Sequence, residues 1–433
     1  MCFSILLLIS PRLSISGAIL GFIYTAYFIP QAPLALTGQG VFIPEKITPI
    51  RSLTYKGFLV SGQVHSFQTD NKTYHFLPCA LFTKYEDDTL FSPFHFTGSL
   101  EKKKDSYQIN YNVKKPLPIT NFSHFRHKWK TSLHNFLEKK IKDRSSSHFL
   151  SALITGYLTD LYLKFSFFKL GLSHILAISG FHFSLLIGLA SFFLTPLPLR
   201  LKSSLLILLA FTYFFLMGHS PSITRAFVMI ILYYFAKIFD QESCPINNLG
   251  SALFIVLLLD PRAAFSLSFQ LSFLSCCGIF LYYPLLAEKI PNKQGFFARL
   301  YPYYMHALSL CLAVNLMIFP LLLHVFNKIS LLGMIYNLFF PLQVLACFAL
   351  LLITLLIYPL IPPLSNLLFK ILDPLTTISL IPVLNPPIYF DYYIRGTLSQ
   401  QWAIVWTVCA LFIGVYLKAC HEKKGLEKRV NYI

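Results

Sequence analysis

The chain has 433 residues, of which 55% are hydrophobic and only 12% are charged, and its mean hydropathy is +0.60. A soluble domain carries about 25% charged residues, so this composition excludes a secreted mini-protein and indicates a membrane protein. Lys and Arg outnumber Asp and Glu by 36 to 18, a formal net charge of +18. Such a basic excess fits either anionic lipid head groups or a polyanion such as nucleic acid.

The first segments in chain order predict a membrane anchor followed by a β-rich domain. The apolar run at 13–29 has about the length needed to cross a bilayer and continues into FIPQAP without a small-residue cleavage site. We therefore interpret residues 1–29 as a retained N-terminal anchor. Residues 30–120 contain short runs rich in Val, Phe, Tyr and Thr, separated by polar turns. This pattern predicts a small, OB-like β-barrel on the exoplasmic side.

Residues 121–145 predict a basic amphipathic helix. Phe122, Phe125, Trp129 and Leu133 recur at helical spacing, while cations occupy the other face. We expect this helix to lie along the membrane surface. A more specific interpretation of the same basic charge is a DNA-binding surface. Its candidate residues are Lys102, Lys103, Lys104, Arg126, Lys128 and Lys130.

Apolar runs dominate residues 146–418 and predict a polytopic α-helical membrane domain. We expect spans near 173–195, 203–218, 221–237, 246–260, 263–284, 303–326, 329–340, 341–358 and 400–418. The proline-rich region 360–399 is predicted to be irregular or interfacial, and residues 419–433 form a basic tail.

The distribution of Lys and Arg in short loops predicts the orientation, because such cations concentrate on the cytoplasmic side. With a cytoplasmic N-terminus, the basic loops 196–202 and 285–302 and the tail all fall inside. One inside loop carries acidic residues at 240 and 242, and the segment 329–358 must cross twice or re-enter to keep the tail inside. We predict a multi-pass protein of the bacterial inner membrane with both termini in the cytoplasm.

The stretch GLSHILAISGFHFS at 171–184 places ionisable groups in an apolar run. His174 and His182 would lie about 80° apart on one continuous helix. Ser179 and Gly180 lie between them, and the glycine permits a close helix approach or a break. An ionisable group inside a span costs roughly 2.5–3.5 kcal/mol on insertion scales. Two interpretations stay open: packing between helices, or the lining of a hydrated path.

Arg225 lies one turn into a helix predicted to start at GHSPSITR, with Ser220 as N-cap and Pro221 at the first position. A cation is unfavourable near a helix N-terminus. Arg225 therefore either extends to the membrane interface or faces a cavity where an anion passes.

The run at 259–278 carries polar groups on two helical faces. Ser268 and Ser272 share one face, whereas Gln270 lies on nearly the opposite one. This distribution indicates a central helix surrounded by protein. We take all three residues, with those described above, as candidates for the lining of the path.

Several motifs are missing from the sequence. It has no GxxxxGK[ST] phosphate loop, no HExxH or HxHxDH metal cluster and no CxxC pair among its nine cysteines. No metal and no cofactor is therefore expected. Ser179 with a histidine base could act as a nucleophile, but its context AISGF is not GxSxG and offers no neighbouring carboxylate.

Three stretches together resemble the ComEC-type family of DNA-uptake channels of natural competence. They are GLSHILAISGFHFSLLIGL at 171–189, the Gly-x-Ser-Pro-Ser…Arg-Ala pattern at 218–226, and DPRAAFSLSFQLSFLSCCGI at 260–279. The likeness covers roughly residues 146–360. The β-rich region resembles the family's OB-like domain by position and composition.

The resemblance implies a channel that passes single-stranded DNA into the cytoplasm. It also implies a separate cytoplasmic ATP-driven motor and an exoplasmic DNA receptor. Many members carry a metallo-β-lactamase-like nuclease domain, whose metal motif does not occur in this sequence. A nuclease step is therefore expected to belong to another protein or to be absent, and this chain is not expected to be an enzyme. The oligomeric state stays open, with a homodimer possible.

Two other functions remain open from the residues alone. One is a polytopic membrane enzyme or a flippase for a lipid-linked substrate that uses the same polar groups. The other is a membrane-embedded assembly scaffold, which would tolerate loss of those groups. A flippase would be expected to show charges along a lateral groove, which the sequence does not indicate.

Overall fold

The computed structural model describes residues 33–51, 56–69, 73–83, 92–103, 106–117, 122–176, 178–288, 290, 296–386 and 393–430. The predicted anchor at 1–29 and Lys104 lie outside these ranges.

Five strands form a closed barrel at the N-terminal end of this part of the chain. They are β1 (Ala35–Arg51), β2 (Lys56–Gln68), β3 (Thr73–Thr83), β4 (Phe94–Lys103) and β5 (Ser106–Pro116). The strand order is β1-β2-β3-β5-β4, with β4 returning to β1, and only the β3–β5 pair is parallel. Alternate side chains fill the interior, among them Phe42, Val60, Val64, Phe67 and Phe94, all fully buried. The predicted OB-like barrel is confirmed.

One helix, α1 (Phe122–Lys140), joins the barrel to the helical half. The Ser123 hydroxyl donates to the Pro44 carbonyl of β1 at 2.9 Å. At the other end, Lys140 Nζ donates to Asn366 Oδ1 at 2.9 Å. Phe122 is exposed, but the middle of the helix packs on protein through residues such as Leu133. The helix is therefore fixed at both ends, and its position at the membrane surface stays a prediction.

The helical half continues with thirteen further helices in the described residues. These are α2 (Arg144–Thr155), α3 (Leu161–Lys169), α4 (Ser173–Leu176), α5 (Gly180–Phe193), α6 (Leu199–Met217), α7 (Pro221–Ile238), α8 (Pro245–Leu259), α9 (Leu267–Leu281), α10 (Tyr283–Ala287), α11 (Phe296–Phe326), α12 (Leu331–Ile357), α13 (Pro362–Leu384) and α14 (Gln400–Val430). A 3₁₀ turn, Pro261–Phe265, joins α8 to α9, and two short strands, β6 (Lys328–Ser330) and β7 (Tyr393–Arg395), pair antiparallel.

Six helices in the described residues are long and apolar enough to cross a membrane. They lie in α6, α7, α11, α12, α13 and α14. The apolar helices α5, α8 and α9 have only 14 or 15 residues. At 1.5 Å per residue they reach about 21–23 Å, less than the ~30 Å hydrocarbon core. A polytopic helical membrane fold is thus confirmed, with three short helices inside it.

The predicted single span at 173–195 is wrong, because the chain breaks between α4 and α5. Ser179 caps a new helix there, so His174 and His182 do not share one helix and the 80° relation does not hold.

Two further predictions fail in the C-terminal half. Segments 329–340 and 341–358 form one helix, α12, despite the internal Pro341. Residues 362–384, predicted to be irregular or interfacial, form α13, which starts on two prolines in its first turn. If α13 crosses the membrane, it replaces the crossing lost in α12, and the cytoplasmic tail stays a prediction.

We predict that α13 crosses the membrane. Leu360 is 75% exposed before α13, and Gly396 is exposed after it. Leu360→Cys and Gly396→Cys are therefore expected to react with a membrane-impermeant maleimide from opposite faces of sealed vesicles. Labelling of both from the same face, above that of the parent chain, would show that α13 lies in the interface.

Candidate functional site

The start of α5 is built by a reciprocal capping interaction. Ser179 Oγ accepts from the Phe181 N–H at 3.2 Å, and His182 Nδ1 accepts from the Ser179 N–H at 3.4 Å. Histidine thus takes the place of the Glu or Gln that usually completes a capping box. His182 is completely buried and its ring packs on Phe348 of α12 at 6.1 Å. In this conformation His182 fixes a helix start and does not line a hydrated path.

Gly180, the first residue of α5, lies directly against Arg225 of α7. A Cβ built on Gly180 would overlap Nη2 of Arg225 and would lie 3.3 Å from the Cβ of Ala226. The absence of a side chain at Gly180 therefore makes room for the guanidinium.

Arg225 is half-buried, and its nearest side-chain partners are sulfur atoms, which solvate a guanidinium poorly. Its Nη1 lies 2.6 Å from Cys276 Sγ of α9 and 3.9 Å from Met229 Sδ. Its Nε is buried without a hydrogen-bond partner, and no carboxylate of the described residues pairs with it. A guanidinium in such a position is stabilised by an anion that brings its own acceptor oxygens.

The first residue of α5 lies against this cation, and the starts of α7 and α9 lie beside each other one turn before it along α7. Ser222 in the first turn of α7 places its hydroxyl 2.9 Å from the Ser268 hydroxyl of α9. Ser220 and Ser266 cap α7 and α9, just as Ser179 caps α5. Each helix start carries a partial positive charge, so their positions near Arg225 favour an anionic ligand.

A groove of about 360 Å³ leads away from Arg225 between α5, α7 and α9. Its lining comprises Ser184, Ile187, Gly188, Arg225, Ala226, Met229, Ile230, Tyr233, Tyr234, Cys276 and Phe280. A Cβ on Gly188 would meet no atom within 4 Å, so this residue faces open space. The groove thus has a cation at one end and aromatic rings further along α7 and α9.

The other predicted path residues have mostly local roles. Gln270 Nε2 donates to the Ala264 carbonyl at 2.9 Å and so stabilises the turn before α9. Ser272 is half-buried in α9, and Ser268 is exposed next to Ser222. His174 is exposed on α4 beside the Asn337 side chain of α12.

The sequence identifies Gly180, Arg225 and Ser268 as candidates, and the structure places them in one region. Other residues that shape this region were not expected. Ser222, Gly188 and the pair Tyr233 and Tyr234 were not singled out. The sequence signal that could have identified Ser222 is its position in SPSITR, inside the motif that contains Arg225. Gly188 and the tyrosines carry no such signal, because glycine and tyrosine are ordinary in apolar helices.

The predicted basic surface divides into free and engaged cations. Lys102 and Lys103 at the end of β4 and Lys128 on α1 are exposed. Lys130 Nζ donates to the Met217 carbonyl at 2.9 Å, at the C-terminus of α6. Arg126 lies against Gly218, where a Cβ would overlap its Nη1, and burial lowers the pKa of this guanidinium. Arg126 and Lys130 therefore stabilise the end of a helix, as cations do at a negative dipole end.

The barrel adds an uncharged polar groove of about 700 Å³. Amides and hydroxyls dominate its lining, which comprises Thr37, Gly38, Gln39, Gln68, Thr69, Thr97, Gly98, Ser99, Asn110 and Asn112. Of the aromatic residues that could stack on bases, Phe67, Phe94, Phe96 and Tyr107 belong to the barrel core, whereas Tyr111 is 39% exposed. The groove therefore offers hydrogen bonds rather than a broad stacking platform.

We predict opposite effects for the same substitution at the two glycines of α5. Gly180→Ala forces the Arg225 guanidinium out of its place and should lower stability by about 1–3 kcal/mol, as overpacking does. Gly188→Ala adds a methyl group in open space and should leave stability unchanged or raise it by up to about 1 kcal/mol. Apparent Tm values of the purified full chain in detergent test this. Equal Tm values for the two variants would contradict the close contact at Gly180.

Comparison with known proteins gives an independent assignment. The model of the Competence protein family matches residues 159–421. An uncharacterised protein of Mycoplasma pneumoniae, the MG316 homolog, is 28% identical over 61% of this chain and 67% of its own length. An uncharacterised protein of Aquifex aeolicus is 27% identical over 35% of this chain and 38% of its own length. ComE operon protein 3 of Bacillus subtilis is 32% identical over 30% of this chain and 17% of its own length.

No solved structure matches the chain. The matched regions span about two thirds or less of these three relatives. The family match, by contrast, covers more than half of the chain and includes α5, α7 and α9. The protein therefore belongs to the Competence protein family, a channel-type membrane family with a role in DNA uptake.

Proposed function

We propose that the protein is a channel of the bacterial inner membrane that passes single-stranded DNA into the cytoplasm during natural transformation. The observation that supports this most is the Arg225 guanidinium, which has no carboxylate partner among the described residues and lies against the first residue of α5, one turn into α7. A phosphodiester supplies the negative charge and the acceptor oxygens that this position lacks.

The groove sets the orientation of the phosphates and bases of a bound strand. Phosphates contact Arg225 and the starts of α7 and α9, while bases lie towards Tyr233, Tyr234 and Phe280, whose rings offer sequence-independent stacking. At about 360 Å³ the groove holds only a short piece of a strand. Passage of a polymer therefore requires α5 to move relative to α7 and α9, with Gly180 and Gly188 as the smallest residues on the moving face.

Two exposed contacts support the predicted orientation. Arg200 Nη2 pairs with Asp240 Oδ2 at 2.9 Å, so the acidic loop after α7 meets the basic loop before α6. His421 lies 2.7 Å from Glu288, so the start of the tail meets the end of α10. We propose that these two contacts and both chain termini face the cytoplasm, and that the barrel lies outside. A cytoplasmic ATP-driven motor, an exoplasmic DNA receptor and a separate nuclease are the proposed partners.

The domain division proposed with this function has five parts. They are the anchor at 1–29, the exoplasmic barrel domain at 30–120, the interfacial helix at 121–145, the channel at 146–418 and the cytoplasmic tail at 419–433. Lipid contacts the exposed apolar side chains of the channel part, such as Leu208 and Trp402.

Among enzyme activities, the site most resembles one for intramembrane hydrolysis. Ser179 Oγ lies 3.3 Å from His182 Nδ1, within reach of a nucleophile and base pair. The same Oγ accepts a backbone N–H at the start of α5, and the His182 ring is completely buried between helices. Within the described residues no carboxylate hydrogen-bonds to His182. These contacts support a structural cap and not a reaction centre.

We predict that Arg225→Gln blocks DNA entry. In a naturally transformable host that lacks its own copy, uptake of labelled DNA into a nuclease-protected state should fall at least tenfold, because the phosphate loses its charged partner. DNA bound at the cell surface should stay unchanged. Arg225→Lys keeps the charge without the planar fork and should restore uptake in part. Normal uptake by Arg225→Gln, at equal protein level, would favour the scaffold interpretation.

The groove itself is tested at Gly188, where a side chain meets no neighbour. Gly188→Trp should lower uptake by obstruction while leaving the apparent Tm near that of the parent chain. Gly188→Ala is the matched control for the change of residue. If Gly188→Trp takes up DNA normally, the strand does not follow this groove.

We predict that the exposed cations at the end of β4 contribute to capture of single-stranded DNA. Each phosphate contact to a single strand contributes about −0.7 to the slope of log K against log salt concentration. The double variant Lys102→Gln with Lys103→Gln should therefore reduce the steepness of that slope by up to about 1.4. Fluorescence anisotropy with the full chain in detergent measures this, with the exposed Lys164→Gln as control. An unchanged slope would remove these two lysines from the DNA surface.

A further inference from the structure

Two buried histidines and a glutamate meet where α1 packs on α2. His134 and Glu138 lie one turn apart on α1, and His148 lies on α2. Glu138 Oε1 is 2.9 Å from His148 Nε2 and 3.7 Å from His134 Nε2. One ligand atom from each of the three residues lies within 4.8 Å of the others.

These separations match those around a small divalent cation. Zinc binds His nitrogen at about 2.0–2.1 Å and carboxylate oxygen at about 2.0–2.2 Å, so tetrahedral ligand atoms lie about 3.3 Å apart. The distances of 2.9 and 3.7 Å bracket this value. The two histidine nitrogens lie within 4.8 Å of each other, so the three ligands would move closer together to centre on one ion, and water would fill the fourth position.

The surroundings orient the ligands. Thr159 Oγ1 lies 2.9 Å from His148 Nδ1, which leaves Nε2 of that ring to face Glu138 and an ion. The His134 ring packs at 4.8 Å on His148 and at 5.3 Å on Tyr157. The two histidine side chains are 7% and 1% exposed, whereas Glu138 is 40% exposed. An ion can therefore enter from the Glu138 side.

We propose that His134, Glu138 and His148 form a binding site for a divalent cation of the zinc type, and that the ion fastens α1 to α2. Because α1 also holds the barrel through Ser123 and Pro44, the ion strengthens the attachment of the barrel to the helical half. The proposal does not depend on passage of DNA. The proposal differs from the expectation of no metal, which rested on contiguous motifs, whereas here the third ligand comes from a second helix.

The test uses the purified full chain in detergent, with an affinity tag that contains no histidine, after treatment with a chelator. Zn²⁺ alone is added, and bound metal is counted by elemental mass spectrometry after dialysis. Co²⁺ alone is added in parallel, because its visible absorption reports tetrahedral coordination. We expect one equivalent of metal, a tetrahedral Co²⁺ spectrum and a higher apparent Tm with metal than without.

Variants separate metal binding from simple hydrogen bonding. Glu138→Gln keeps a hydrogen-bond acceptor for His148 but removes the anionic ligand, so it should weaken Zn²⁺ binding at least tenfold with little change in the metal-free Tm. His148→Gln should abolish the Co²⁺ spectrum, and Thr159→Val should weaken affinity by about 10- to 100-fold. His124→Gln, on the same helix outside the cluster, is the matched control. Absence of stoichiometric binding by the parent chain, or equal binding by Glu138→Gln, would overturn the proposal.

Discussion

The helical half is organised around one half-buried positive charge at the end of an apolar groove. Arg225 sits one turn into α7 with two sulfur atoms and a glycine as its neighbours, and no acidic side chain of the described residues compensates it. Several local features follow from this one requirement. The chain breaks before α5 so that a bare glycine meets the guanidinium, and the capping pair Ser179 and His182 holds that break in place. The Ser222 and Ser268 hydroxyls then fix the start of α9 beside the start of α7.

The polar groups of the apolar half have two kinds of role. Ser179, His182 and Gln270 satisfy backbone groups at helix starts and turns, where an unpaired donor or acceptor would be costly at membrane depth. Arg225 and Ser268 are the ones left facing accessible space. Polar groups inside an apolar run therefore have two different roles here, and the proposed transport involves only the smaller set.

The sequence predicts the barrel, the membrane class and the region of the site, because these depend on periodicity, hydropathy and short motifs. The sequence does not predict the structure where a single residue has an unusual structural role. A histidine at the third position of a helix is not a recognised capping signal, so the break at Ser179 could not be predicted from pattern alone. Pro362 and Pro363 look like helix breakers but start α13. Lys130 looks like a free surface cation, yet it binds the last carbonyl of α6, and only tertiary contact reveals this.

The attachment of α1 has a mechanical consequence. The helix is tied to the barrel by Ser123, to the end of α6 by Lys130 and to α13 by Lys140. A helix attached at three places transmits a pulling force to its attachment points instead of bending. If a polymer held by the barrel is pulled from the opposite side of the membrane, the strain reaches the ends of α6 and α13 without passing through a loose linker. Such a pulling force would then act directly on two of the long apolar helices of the helical half.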